Sequence, residues 1–187
     1  LEEYSDDYPE ENGKISFEYF INRMSFWMAT GSGKTLVIVK LMEMLGELIY
    51  KELLPKKEIL FLTYRDDLLD QFKLHVEEFN SYHSDIKINL KSLKEYETIK
   101  YDNPLPFARK EITVFYYRSD LITDQEKDKQ VDFRTYDNHG NWYIVLDEAH
   151  KGDREESKRQ MFYNILSRNG FLFNFSATFT DDRDFVT

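Results

Sequence analysis

Cysteine is absent from the 187 residues, which excludes disulfides and cysteine-ligated zinc or iron–sulfur centres. The four histidines, His75, His83, His139 and His150, show no metal-ligand spacing. No run of about 18 uncharged apolar residues occurs, and no basic, apolar leader opens the chain, so neither a membrane span nor a secretory signal is legible. A soluble cytoplasmic protein with no membrane partner is the expectation. Positive charge is also short: 25 Lys and Arg stand against 35 Asp and Glu, a net charge of -10. A passive nucleic-acid binder gains affinity by clustering cations on phosphates, so any nucleic acid here must be held by a local surface or another domain. Part of the acidity lies in "LEEYSDDYPEEN", and residues 1–14 read as a solvated acidic leader.

The remainder is rich enough in apolar residues, 41% with 16% aromatic, to bury a sizeable core. "ISFEYFINR" reads as a short helix and "MSFWM" as a short strand ending at a glycine loop. From Lys34 to about Lys51, apolar residues cover most of a helix circumference, as for a helix packed on a sheet. "EILFLTY" is a buried strand, and "DDLLDQFKLHVEEFN" places Leu69, Phe72, Val76 and Phe79 at helical spacing. Between Ser81 and Asn141 the pattern weakens: "DIKINL" and "EITVFYY" read as strands, "DNPLP" as a turn, and "QVDFRTYDNHGN" as a short strand with a turn at Asn138 to Gly140. "WYIVL" is a buried strand, a helix follows from about Asp153 to Arg168, and "FLFNF" is a last strand. Strands alternating with helices, each strand ending in polar residues, predict an α/β fold. Its mainly parallel sheet is covered on both faces, with the site at the carboxyl ends of the strands.

Three motifs fall at those ends. In "MATGSGKT", Thr30, Gly31, Ser32 and Gly33 form a loop whose amides can approach phosphate, Lys34 can reach the β and γ oxygens, and the Thr35 hydroxyl can hold Mg²⁺. The helix that starts there adds its positive dipole end. Met28 stands where the general G-x-x-x-x-G-K-S/T pattern has glycine, and the bland reading is a glycine turn between strand and helix. In "DEAH", Asp147 can hold Mg²⁺ through its water shell and Glu148 can orient and deprotonate water. Alone, such a pair is most often a surface turn; beside the glycine loop it supplies the opposite side of one Mg²⁺–triphosphate site. "FSAT" delivers Ser176 and Thr178, whose bland reading is a polar strand end.

"MATGSGKT", "VLDEAH" and "FSAT", in that order, resemble motifs I, II and III of the superfamily-two DEAD/DEAH-box helicases and translocases. The Met-Ala-Thr-Gly start and "LTYRDDLLDQF" resemble more closely the motor subunits of type I and type III restriction enzymes, in which the second segment is motif Ia. The resemblance spans about Met24 to Thr180. It implies a three-layer RecA-like P-loop lobe over residues 15–187, cofactors ATP and Mg²⁺, and a helicase or translocase acting on DNA. Lys34 and Glu148 would be catalytic, Thr35 and Asp147 would hold the metal, and His150, Ser176 and Thr178 would couple the nucleotide to the nucleic-acid path. Arg65 and Gln71, with Leu68 or Leu69, match motif Ia; Arg65 would lie near the nucleic-acid backbone or be a solvated loop arginine.

The resemblance has two departures. Such proteins commonly read adenine with a Gln upstream of the loop, and residues 1–33 hold none; stacking on Phe17, Tyr19 or Phe20 is the alternative, unless these are core. The second RecA-like lobe, with its arginine finger, has no counterpart in the chain, so the isolated lobe is expected to hydrolyse ATP weakly or not at all; such fingers contribute about three to five orders of magnitude in rate. Partners implied are that lobe and nuclease or specificity domains. "DIK" and "ESK" lack a preceding Pro-Asp, so no nuclease is assigned. An RNA helicase lobe is the alternative within the class. An ATP-gated regulatory switch is the alternative outside it. A guanine-reading N-K-x-D stretch is absent.

Overall fold

A computed structural model describes residues 10–11, 14–15, 22–82, 86–101, 110–147 and 155–177. Six strands form one sheet: β1 (Arg23–Trp27), β2 (Glu58–Thr63), β3 (Ile86–Ser92), β4 (Lys110–Arg118), β5 (Trp142–Asp147) and β6 (Phe171–Ser176). Their order is β1-β6-β5-β2-β4-β3, and every pairing is parallel. Parallel neighbours need crossovers, and helices supply most of them: α1 (Lys34–Tyr50), α2 (Asp66–Tyr82), α3 (Tyr96–Tyr101) and α4 (Glu155–Leu166).

Strand side chains alternate between two cores, as the two-residue period requires. Ile59 and Phe61 of β2, Tyr143 and Val145 of β5, and Phe173 and Phe175 of β6 face Ile38, Met42 and Leu45 of α1 and Leu69, Phe72 and Val76 of α2. The intervening Leu60, Leu62, Trp142, Ile144, Leu146 and Leu172 face Tyr96 of α3 and Phe162, Tyr163 and Leu166 of α4. Both faces of the sheet are therefore buried, which explains why β2 and β5 read as continuous apolar runs. Three layers with a parallel centre are the RecA-like α/β arrangement expected. Stacking of Phe26 on Phe175, with centroids 4.5 Å apart, fastens β1 to β6 within the first core.

The expected elements recur with small shifts. The strand at Met24 to Met28 begins one residue earlier, and the helix expected to Arg168 ends at Leu166, where Ser167 to Gly170 turn the chain. The expected helix over "ISFEYFINR" does not hold at its ends: Ile15 lies in a two-residue strand and Arg23 opens β1, while residues 16–21 are outside the described residues. At the end of the acidic leader, Glu10–Glu11 pairs antiparallel with Lys14–Ile15. The "DNPLP" turn lies outside the described residues.

Between β3 and β5 the chain carries elements that periodicity missed. Ser92 and Glu95 close a capping box over the 3-10 turn Leu93–Glu95, which leads into α3; the Ser92 amide donates to Glu95 Oε1 at 2.9 Å. After β4 come the 3-10 turn Ser119–Leu121 and a small parallel pair, Ile122–Thr123 with Val131–Asp132. The expected turn at Asn138 to Gly140 is a 3-10 turn. No helix among the described residues is long and apolar enough to cross a membrane.

Candidate nucleotide site at the carboxyl ends of the strands

Parallel strands deliver their last residues to one side, and there the three motifs meet. The loop from Met28 to Gly33 joins β1 to α1. Gly31 and Gly33 adopt φ of 78° and 87°, a region that side-chain-bearing residues avoid. A Cβ added to either would meet nothing within 4 Å, so backbone conformation and not crowding requires glycine here. That open space is what a phosphate needs to approach amides closely. The Ser32 amide donates to the Ala29 carbonyl at 3.1 Å, and the Val37 amide to the Gly33 carbonyl at 3.1 Å, which starts the helix. No side chain caps the start of α1 and no acidic residue lies in its first turn, so the helix presents its amides and its dipole end to an anion.

Across this helix start lies the end of β5. Lys34 Nζ stands 3.1 Å from Asp147 Oδ1, and the two side chains are only 11% and 6% exposed. Two buried opposite charges stabilise each other in a medium where either alone would be costly. Asp147 is held there by strand geometry: it follows Val145 on the α1 side of the sheet and pairs with Phe175 of β6. Ser176 is fully buried, and its carbonyl accepts the Met28 amide at 2.9 Å. The start of the phosphate loop is thus tied to the last residue of β6. Thr35 follows Lys34 in the first turn of α1, half-buried, while Thr30 and Ser32 are exposed.

The structure therefore brings together Lys34, Asp147, Ser176 and the glycine loop, from three strands far apart in the chain. Glu148, His150 and Thr178 lie outside the described residues. Arg65 and Gln71 are exposed at the beginning of α2. Arg65 is engaged by its neighbour: Nε and Nη2 donate to the two oxygens of Asp67 at 2.8 and 2.7 Å. That side-chain hydrogen bond holds the Asp67 carboxyl below its usual range against the opposing effect of desolvation.

Two residues at this side of the sheet were missed by the motif reading. Arg118, the last residue of β4, donates to Asp66 at 2.6 Å and to both oxygens of Asp120 at 3.0 and 2.6 Å, which clamps β4 to the start of α2. Asp120 above all raises the guanidinium above its ordinary range. A cation directly after the apolar run "EITVFYY" was the available signal. Thr63, the last residue of β2, is fully buried, and its Oγ1 has no hydrogen-bond partner among the described residues. Its polar place at the end of an apolar strand was visible; its missing partner was not.

Among the described residues no group of three or more His, Asp or Glu could hold a metal by itself. The donor set fits a metal that arrives with a nucleotide: one carboxylate, one threonine hydroxyl, and the ligand's own oxygens.

A family model described as "Type III restriction enzyme, res subunit" matches residues 14–181 of this chain. No curated protein matches it. Among solved structures, the UvsW helicase from bacteriophage T4 is similar at 14% identity and a TM-score of 0.47, over 88% of this chain and 51% of that one. A nuclease-deletion mutant of the type ISP restriction-modification enzyme LlaGI, solved in complex with a DNA substrate mimic, is similar at 17% identity and a TM-score of 0.48. There the match covers 87% of this chain and 17% of the other. The chain spans about half the length of the first and about a sixth of the second.

Proposed function

The chain belongs to the family of type III restriction enzyme res subunits, and from that premise we propose that it is the ATP-binding lobe of a DNA-dependent motor, over residues 15–187. The observation that carries the reading is the 3.1 Å approach of Lys34 to Asp147 beside a glycine loop with open space at both positive-φ glycines. Lys34 exchanges Asp147 for the β and γ phosphate oxygens when nucleotide enters. Gly31, Ser32 and Gly33 offer backbone amides to the same phosphates, and Thr30 flanks them. The Thr35 hydroxyl and Asp147 hold the metal, which when bound neutralises charge on the transferring phosphoryl group. Glu148, next after Asp147, orients the attacking water and takes its proton.

Ser176 supports a coupling role, because its carbonyl already anchors the phosphate loop at Met28. His150 and Thr178 belong to the same relay, and Arg65 and Gln71 face the nucleic acid from the start of α2. Arg65 must then trade Asp67 for a phosphate, which makes the contact salt-sensitive.

The partner for hydrolysis is a second RecA-like lobe that supplies an arginine. Among the described residues, the arginines at this side of the sheet are occupied, Arg65 by Asp67 and Arg118 by Asp66 and Asp120. Nuclease or specificity domains are the further partners, and the cytoplasm is the compartment. ATP hydrolysis by the intact protein, with DNA, with RNA and with neither, beside Lys34→Ala and Glu148→Gln, tests this. Stimulation by DNA that both substitutions abolish is expected. Stimulation by RNA alone would replace DNA as the track, and nucleotide binding without any stimulation would leave an ATP-gated switch.

A further inference from the structure

Thr63 ends β2, the central strand flanked by β5 and β4. Leu62 pairs with Leu146 of β5, so one step further Thr63 stands opposite Asp147. Alternation puts Thr63 on the side of Ile59 and Phe61, the side that Val145 and Asp147 of β5 also face. Adjacent strands lie about 4.8 Å apart, so a threonine hydroxyl reaches a carboxylate on the next strand by side-chain rotation alone. Thr63 is fully buried and its Oγ1 has no partner among the described residues. A buried hydroxyl without a partner opposes folding, and valine would fill the same space without that cost. The hydroxyl is therefore explained by a state in which it has a partner.

We propose that Thr63 is a positioning residue for Asp147 in the nucleotide-loaded state, an inference that rests on the phosphate-site reading above. With no nucleotide, Lys34 neutralises Asp147. Once Lys34 turns to the phosphates, a nearly buried carboxylate loses that cation, and a further donor on the neighbouring strand helps to fix its rotamer. Thr63 donates its O–H to that carboxylate, so that the carboxylate keeps the orientation that serves the metal. Arg118, next to Thr63 across the β2–β4 pair, is held by Asp66 and Asp120 and does not compete for this role.

The test is equilibrium binding of a fluorescent ATP analogue to the intact protein, with and without Mg²⁺, for wild type, Thr63→Val and Thr63→Ser, together with thermal melts. Thr63→Val is expected to melt at or above wild type without nucleotide. Its affinity in Mg²⁺ should fall by about ten- to a hundredfold, the scale of one hydrogen bond to a charged group, with no change in Mg²⁺-free binding. Thr63→Ser should restore the affinity. Wild-type-like Mg²⁺ dependence in Thr63→Val would overturn the proposal while leaving the phosphate site standing, as would an equal loss with and without Mg²⁺, which marks a merely structural residue. If wild type itself shows no Mg²⁺-dependent binding, the site reading falls and the role of Thr63 falls with it.

Discussion

The two ends of the sheet are built on opposite plans. At the amino ends, polar groups find partners within the fold: Lys57 donates to Asn141 Oδ1 at 2.8 Å and to the Asn169 carbonyl, and Arg168 donates to Asp137 and to the Ile165 carbonyl. The Asn169 amide reaches the Gly140 carbonyl at 3.0 Å, and Trp142 Nε1 the Tyr136 carbonyl at 2.7 Å. At the carboxyl ends, Lys34 and Asp147 hold each other in near burial, Thr63 has an unused hydroxyl, and the loop glycines face open space. The glycines make the contrast plain. Gly170 is glycine because a Cβ there would overlap the Trp142 carbonyl, whereas Gly31 and Gly33 are glycine because their backbone is left-handed with room beside it. The amino end is tied together by these bonds, while the carboxyl end, beside its Arg118 clamp, keeps a buried hydroxyl without a hydrogen bond and loop glycines facing open space.

The contrast predicts different losses at the two ends. Lys34→Ala should hit both function and fold: ATP hydrolysis should drop by about a hundredfold to a thousandfold, and stability by about 3 kcal/mol because Asp147 remains buried without its cation. Paired hydrolysis and denaturant curves would check it, and an unchanged rate would break the functional half of the contrast. Gly170→Ala, at the amino end, should cost about 3 kcal/mol through overlap with backbone that cannot swing aside. Nucleotide affinity of the folded fraction should stay as it was. A loss of affinity larger than the loss of folded protein would blur the two ends.

Tyr96 of α3 packs at 4.8 Å on Trp142, the first residue of β5, and edge-on at 5.3 Å against Phe115. Burial, with smaller contributions from Glu58 and Glu97, pushes its phenol up from 10.0 to about 12. The fold favours the neutral phenol, so this contribution is intact below pH about 10 and is lost as pH rises through about 12; its size is on the order of 2 kcal/mol. Stability against pH for Tyr96→Phe should show a weaker alkaline fall than wild type. Smallest of all, Arg118→Ala should cost about 1 kcal/mol, since its ion pairs are partly exposed, with the loss shrinking in high salt. A loss several times larger would mean that the clamp between β4 and α2 is structural in the way the amino end is.

What could be read from the sequence follows from the same physics. β2, β5 and β6 were legible because both faces are buried, which leaves unbroken runs such as "EILFLT" and "WYIVLD" closed by a polar residue. α1 and α2 were legible from apolar spacing. α3 was not, because six residues are too few to show a period, although Ser92 and Glu95 carried the signature of a helix start. The Ile122–Val131 pairing involves strands of two residues, below the length at which alternation can be seen. At the site, the loop and Asp147 were legible as motifs. Their meeting at 3.1 Å, the occupation of Arg65 by Asp67 and the orphaned hydroxyl of Thr63 depend on partners that spacing does not name.

The most direct test of the central claim, that the Lys34–Asp147 pair is the resting form of a nucleotide site, is the ATP affinity of Asp147→Asn in the intact protein with and without Mg²⁺. If the pair must open for nucleotide to enter, the substitution releases Lys34, and Mg²⁺-free ATP should bind at least as tightly as to wild type while Mg²⁺ adds nothing. Equal weakening in both conditions would show that Asp147 does not compete with phosphate for Lys34, and would contradict the account.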